Sequence, residues 1–181
     1  MQNTEGGLQM YKNFMELAEN RYSVRKYKKE QISKEDMELI LHAGQVAPTA
    51  ANVQSHRIFV VQSEEAMAKV KQVTRFHYNA PTVLLICSNT EESYKAMDGD
   101  DSGPVDAAIV TTHMMMEAFD IGVGSCWVRG FDENQVRAVF DLPEHLIPVA
   151  MLDLGYPTED SHPWPGAHEK RRPLSETVIY Q

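Results

Sequence analysis

The chain has 181 residues, a length typical of one domain (1–181), and enough to bury a core without disulfides or a structural metal. Its composition, 43% hydrophobic and 24% charged, is that of a globular protein, and 17 Lys plus Arg against 26 Asp plus Glu leave a net charge of −9. That balance argues against general affinity for nucleic acid or anionic membranes. No run of about 18 apolar residues marks a transmembrane helix, and the opening MQNTEGGLQMYKNF lacks the charged-then-apolar pattern of a signal peptide.

In chain order, Tyr11, Phe14, Met15 and Ala18 recur at helical offsets and predict a helix over 9–20 with one apolar stripe. The basic stretch RYSVRKYKK follows. Ser33, with Asp36 three residues on, resembles a capping box with a shortened acid. It opens a helix that buries Met37, Ile40, Leu41 and Gly44 and ends before Pro48. Residues 47–57 are small and polar, a loop. IFVV (58–61) reads as a strand, and Ser63 caps a helix over 64–73. VLLIC (83–87) reads as a strand buried on both faces, and 89–104 as an acidic, Gly-rich loop with some helix. From Asp106 to Ile121 the pattern is apolar almost all round, as in a central buried helix. Gly122 suits its stop, Asp132 and Gln135 frame another helix start, and VAMLDLGY (149–156) reads as a last central strand. The proline-rich remainder reads as extended chain that wraps something. The alternation lacks a strict βαβ rhythm, so the expected fold is α+β with a central mixed β-sheet flanked by helices.

The seven histidines show no zinc-type spacing, and no G-x-S-x-G elbow is present. Cys126 has no base indicated for a nucleophilic role. Cys87 and Cys126, the only cysteines, stand far apart among apolar residues, which suits free thiols in a reducing cytoplasm. Gly122-Val123-Gly124 begins a G-x-G-x-x-G only superficially, because Trp127 holds the sixth position and the run ends a helix rather than opening one. The glycines either end that helix or let backbone approach a flat ligand, and the residues leave both readings open. Arg21, Ser23 and Arg25 alternate, so in extended chain they share a face able to cradle a phosphate. A second basic group, Lys170-Arg171-Arg172, lies near the other end of the chain.

Four segments in order resemble the FMN-dependent nitroreductase family, small single-domain type. They are Arg21-Tyr22-Ser23-Val24-Arg25-Lys26-Tyr27; Ala47-Pro48-Thr49-Ala50-Ala51-Asn52-Val53-Gln54; Gly122-Val123-Gly124-Ser125-Cys126-Trp127-Val128; and the set Leu142-Pro143-Glu144, Gly155-Tyr156-Pro157, Arg171-Arg172-Pro173-Leu174. The resemblance implies a homodimer holding two FMN molecules in its interface, with the extended C-terminal tail embracing the partner and Thr177–Tyr180 adding a strand. By the same resemblance Arg21 and Ser23 hold the FMN phosphate with Tyr22 nearby, and Arg171 is the late phosphate arginine. Arg25 lies against the N1 and O2 edge of the flavin. Pro48, Thr49, Ala50, Asn52 and Gln54 approach from the partner chain, and Gly124, Ser125, Cys126 and Trp127 pack near the ring. Two departures stand out: Glu169 replaces a frequent lysine, with Lys170 beside it, and Ser55-His56-Arg57 follows Gln54 where the family often has Pro-Trp.

The activity implied is ping-pong transfer of hydride from NADH or NADPH through flavin N5 to a nitroaromatic, quinone or similar small oxidant, with no catalytic side chain and no metal. Two alternatives stay open: a flavin-binding redox sensor without steady turnover, and a reductive dehalogenase-like branch of the same fold.

Overall fold

The structure, a computed structural model, describes residues 11–181. Its elements are α1 (Phe14–Asn20), α2 (Lys34–Gln45), β1 (His56–Val61), α3 (Glu64–Val73), β2 (Thr82–Asn89), α4 (Gly103–Asp120), β3 (Gly124–Val128), α5 (Glu133–Phe140), β4 (Leu146–Gly155) and α6 (Leu174–Thr177). The α+β class is as expected. The start of the expected first helix, residues 9 and 10, lies outside the described residues, and α1 begins where the Asn13 side chain accepts the Glu16 N–H.

The expected helix starts bond as the sequence suggests. Ser33, Ser63 and Asp132 each accept a backbone N–H three residues on, from Asp36, Ala66 and Gln135. The shortened capping box is closed by a third residue. Asp36 does not return to the Ser33 N–H; the Tyr156 hydroxyl accepts that N–H at 3.1 Å and donates to Asp36 Oδ2 at 2.5 Å.

The strands form one four-stranded sheet in the order β1-β2-β4-β3. All three pairings are antiparallel, where a mixed sheet was expected. The cause lies in the connections. After α3, residues 74–81 return the chain to the end of the sheet it left, so Val83 pairs with Val61 and β2 runs back along β1. A bulge between Ile86 and Cys87 admits Pro148 into β4, where its missing N–H would interrupt a regular ladder.

β2 is buried along its whole length because helices cover both faces. Leu84, Ile86, Leu152 and Leu154 pack with Ile40 of α2 and Val110 and Met114 of α4. Val83, Leu85, Met151 and Cys126 pack on the other face with Val70 of α3 and Val136 of α5. α2 and α4 approach closely at Gly44, where an added Cβ would stand 2.9 Å from Met114 Cγ. The 89–104 stretch contains turns and a Lys95–Asp101 bridge, and its helix is the first turn of α4, which begins at Gly103, ahead of the expected Asp106. The tail is mainly extended, but Leu174–Thr177 forms a helical turn, so Thr177 does not begin a strand in this chain.

Candidate functional site

The basic stretch is extended because the sheet edge holds it. Val24 N–H donates to Ser125 O of β3 at 2.9 Å, Lys28 N–H donates to Tyr156 O at 2.9 Å, and Thr158 N–H donates to Lys26 O at 3.2 Å. Val24 itself is fully buried. Its methyl groups and Pro157 fill the space a Cβ would need at Gly124, with contacts of 2.9 to 3.0 Å. Gly124 therefore admits neighbouring protein. Gly122, with φ +82°, ends α4, as Val123 N–H returns to Ala118 O at 2.7 Å.

Alternation then sorts the side chains. Tyr22 turns toward α4, its ring 6.0 Å from that of Phe119 and its hydroxyl donating to Ser161 O at 3.3 Å. Arg21, Ser23 and Arg25 instead gather around Cys126 of β3. Burial pulls the Arg21 pKa below its ordinary value; the nearby Cys126 opposes this and the Arg171 guanidinium adds to it. Arg171, of the second basic group, thus lies near enough to Arg21 for its charge to be felt. Arg21 Nη1 and Ser125 Oγ are both buried without a hydrogen-bond partner. A half-buried guanidinium with a buried, unpartnered N–H and a like charge nearby suits an anion, because an oxyanion would satisfy the donor and relieve the repulsion. Arg171 is exposed and anchored only through backbone carbonyls, Nη1 donating to Lys170 O at 2.8 Å.

Cys126 is the cross-strand neighbour of Asp153 on β4. Burial pushes the Cys126 thiol up to about 11, Asp153 adding to the shift and Arg25, Ser23 and Arg21 opposing it. It is a neutral thiol near pH 7, unsuited to nucleophilic attack. Asp153 is 1% exposed, its Oδ2 has no partner, and burial raises its pKa to about 8. An acidic residue inside the apolar run VAMLDLGY is the signal in the sequence for an ionisable group within the core, one that the motif reading misses. Trp127 is partly exposed at the sheet edge, on the face opposite Cys126.

The second group lies elsewhere in the molecule. Pro48, Thr49, Ala50, Asn52 and Gln54 form the loop between α2 and β1, where Ala51, Asn52 and Gln54 have positive φ. Gln54 N–H donates to Thr49 Oγ1 at 3.1 Å, and Ala50 N–H donates to Asp106 Oδ1 at 2.9 Å. Asp106 stands in the first turn of α4, whereas Tyr22 packs on Phe119 in the last. The helix rise separates those ends by about 20 Å. One chain therefore brings Arg21, Ser23, Arg25, Gly124, Ser125, Cys126 and Arg171 to one region and leaves the loop at the other end of α4.

Between the helices runs a groove of about 760 Å³ lined by residues of α1, α2 and α4, including Phe14, Leu17, Leu39, Val46 and Met116, with Arg21 at its margin. Of the apolar stripe expected on the first helix, Phe14 and Ala18 line this groove, while Tyr11 stacks on Phe119, Met15 is exposed, and α1 contributes no buried residue. Among the described residues no group of three or more His, Cys, Asp or Glu is arranged to hold a metal ion, and no helix is long and apolar enough to cross a membrane.

An α+β fold built on a four-stranded antiparallel sheet, with the basic Arg21–Arg25 segment held along edge strand β3, defines the class to which comparison with known proteins also leads. The chain belongs to the nitroreductase family, whose sequence profile matches residues 18–75 and 74–156. It is 37% identical to a nitroreductase family protein of Clostridium difficile 630, whose crystal structure superposes with a TM-score of 0.87 over 93% of this chain and 98% of that one. An NADPH-dependent oxidoreductase of Staphylococcus epidermidis is 27% identical over 177 residues, 88% of this chain and 69% of the relative. The same fold, at 21% identity, occurs in a nitroreductase-like protein of Exiguobacterium sibiricum 255-15 solved in complex with FMN; the TM-score is 0.81, over 97% of this chain and 100% of that one.

Proposed function

We propose that the protein is an FMN-dependent NAD(P)H oxidoreductase that works as a homodimer, with each flavin held by both chains. The observation that carries this reading is the buried, unpartnered Nη1 of Arg21, with the Arg171 guanidinium near enough to lower its pKa, on a segment held to edge strand β3 of the nitroreductase fold. FMN, when bound, supplies a two-electron relay that accepts hydride from NADH or NADPH at N5 and passes it to a small oxidant such as a nitroaromatic or quinone. Arg21, Ser23 and Arg171 would hold its phosphate by charge-assisted hydrogen bonds. Arg25 would place a positive charge at the flavin edge where negative charge accumulates on reduction. Tyr22 would brace the phosphate segment against α4, and Cys126, as a neutral thiol, would fill space beside it.

The separation of the Pro48–Gln54 loop from this region supports a site completed by a second copy. A twofold axis near the middle of α4 would exchange the helix's two ends and set one chain's loop against the other's arginines. The exposed apolar stripe of α1 and the groove beside it supply the surface such a dimer would bury. The presence of an NADPH-dependent oxidoreductase among the relatives supports the choice of donor class.

Anaerobic titration of FMN-loaded protein with NADPH and then NADH, followed at the visible flavin band, tests the reading. Bleaching at one equivalent per flavin is expected with at least one donor. A protein that fails to bind FMN overturns the proposal. A protein that binds FMN and never bleaches overturns the oxidoreductase activity with these donors and leaves a flavin-binding sensor in its place.

A further inference from the structure

Arg25 lies between two aromatic rings. Its Cζ stands 5.7 Å from the centroid of Tyr78 and 5.9 Å from that of Trp164, while Nη1 donates to Ser23 O at 3.2 Å. No carboxylate lies within ion-pairing distance of it among the described residues. The stack continues behind Tyr78: the Phe76 ring lies 6.4 Å away, and Arg75 Cζ stands 4.8 Å from the Phe76 ring. Phe76 is itself backed by Gly130, where an added Cβ would stand 2.4 Å from the ring.

Both flanking rings are carried on specially shaped backbone. Tyr78 has φ +46° and Asn79 φ +56°. A left-handed conformation is unfavourable at a bulky aromatic residue, and such strain persists where surrounding structure enforces it. Here Asn79 N–H donates to His77 Nδ1 at 3.0 Å and Ala80 N–H donates to His77 O at 2.9 Å, closing the turn. On the other side Trp164 stands between Pro163 and Pro165 in a turn closed by Ala167 N–H on Trp164 O at 3.1 Å. Its side chain is 64% exposed, so the core does not hold it.

We propose that Tyr78 and Trp164 are positioning residues that clamp the Arg25 guanidinium, fixing its charge against the electron-accepting edge of the bound flavin. The proposal rests on the flavin reading above and adds two residues to it. The physical reason for rings at these places is that a carboxylate partner would fix Arg25 but cancel its charge. An aromatic face fixes the guanidinium and leaves the charge available. An unrestrained arginine loses rotamer entropy on being held, a cost that a preformed clamp removes from the reduction step.

The test is the two-electron midpoint potential of bound FMN in Tyr78→Phe, Tyr78→Leu, Trp164→Phe and Trp164→Leu proteins, each also made with Arg25→Ala, alongside FMN affinity and thermal midpoint. Loss of either ring should favour the oxidised flavin by about tenfold, which for a two-electron couple is about 30 mV more negative. The Phe variants keep a ring and should retain the parent potential. In the Arg25→Ala background the Leu substitutions should have no further effect, because the charge they position is gone. Leu variants that keep the parent potential, or that shift it equally without Arg25, overturn the clamp. If Tyr78→Leu fails to fold, Trp164→Leu on the exposed ring still decides the question. A parent that binds no FMN overturns the flavin reading itself, whereas FMN binding with ring-independent potentials overturns the clamp alone.

Discussion

Arg21, half-buried, and Asp153, fully buried, each carry a buried, unpartnered atom, and they predict opposite consequences. Arg21 Nη1 is a donor awaiting an acceptor. Hydrogen bonds to charged groups contribute about 1.5–3 kcal/mol, so Arg21→Ala should weaken FMN binding roughly 10- to 100-fold in a flavin-fluorescence titration. Unchanged affinity would remove Arg21 from the site. Asp153 has no such use for its charge. Its pKa in the fold, about 8, lies above the ordinary 3.8, so the folded state binds more protons than the unfolded state between those values. Stability contributed here is present at low pH and is lost as pH rises toward 8. Asp153→Asn should therefore gain urea resistance relative to the parent as pH goes from 5 to 8, by on the order of a few kcal/mol at the top of that range. Comparing variant with parent cancels the opposite trend from His56 and His77, whose pKa values are lowered mainly by burial. A parent–variant difference constant across pH would contradict the burial of a titrating carboxyl. The alternation of Arg21, Ser23 and Arg25 was legible because a two-residue period needs only extended chain. The arrival of Tyr78 and Trp164 on Arg25 was not, since a left-handed turn and the path of the tail are set by tertiary structure.

At the level of elements, caps were legible and strand direction was not. Ser33, Ser63 and Asp132 act through bonds to residues three positions away, so local sequence specifies them. A strand shows the same alternation whichever way its neighbour runs, and the connection after α3 decides the matter. Edge strand β3 carries the consequence for function. Gly124 has ordinary strand surroundings except for Val24 and Pro157 against it. Val24 is β-branched and fully buried, so it has little freedom to retreat. Gly124→Ala should force the Arg21–Arg25 segment away from β3 and destabilise the fold by about 1–3 kcal/mol, the usual cost of overpacking. Its FMN affinity should fall as well, because the displaced backbone carries the arginines. A Gly124→Ala protein with parental stability in urea and parental affinity would show that the segment is not fixed by this contact.

At the scale of the molecule, the four family-like segments were legible, yet one chain gathers only part of them. The Pro48–Gln54 loop is tied to Asp106 at the start of α4, while the arginines lie beyond its end. The proposed twofold dimer would resolve that separation and give the exposed apolar residues of α1 a partner, an arrangement legible only through the family resemblance and not through the pattern of one chain. Val46 tests the idea with little damage to the monomer, because it is 64% exposed, stands at the end of α2 and lines the groove. Val46→Arg places a charge in a surface that should be apolar and closed. Sedimentation equilibrium should find the parent dimeric and the variant shifted toward monomer, with helix content unchanged by circular dichroism. FMN affinity should fall in step with dissociation and recover at high protein concentration, since mass action restores the second half of the site. That coupling separates a shared site from a dimer that merely coexists with a complete monomeric one. A monomeric Val46→Arg protein that binds FMN as tightly as the parent would place the whole flavin site within one chain and leave the loop without a part in it.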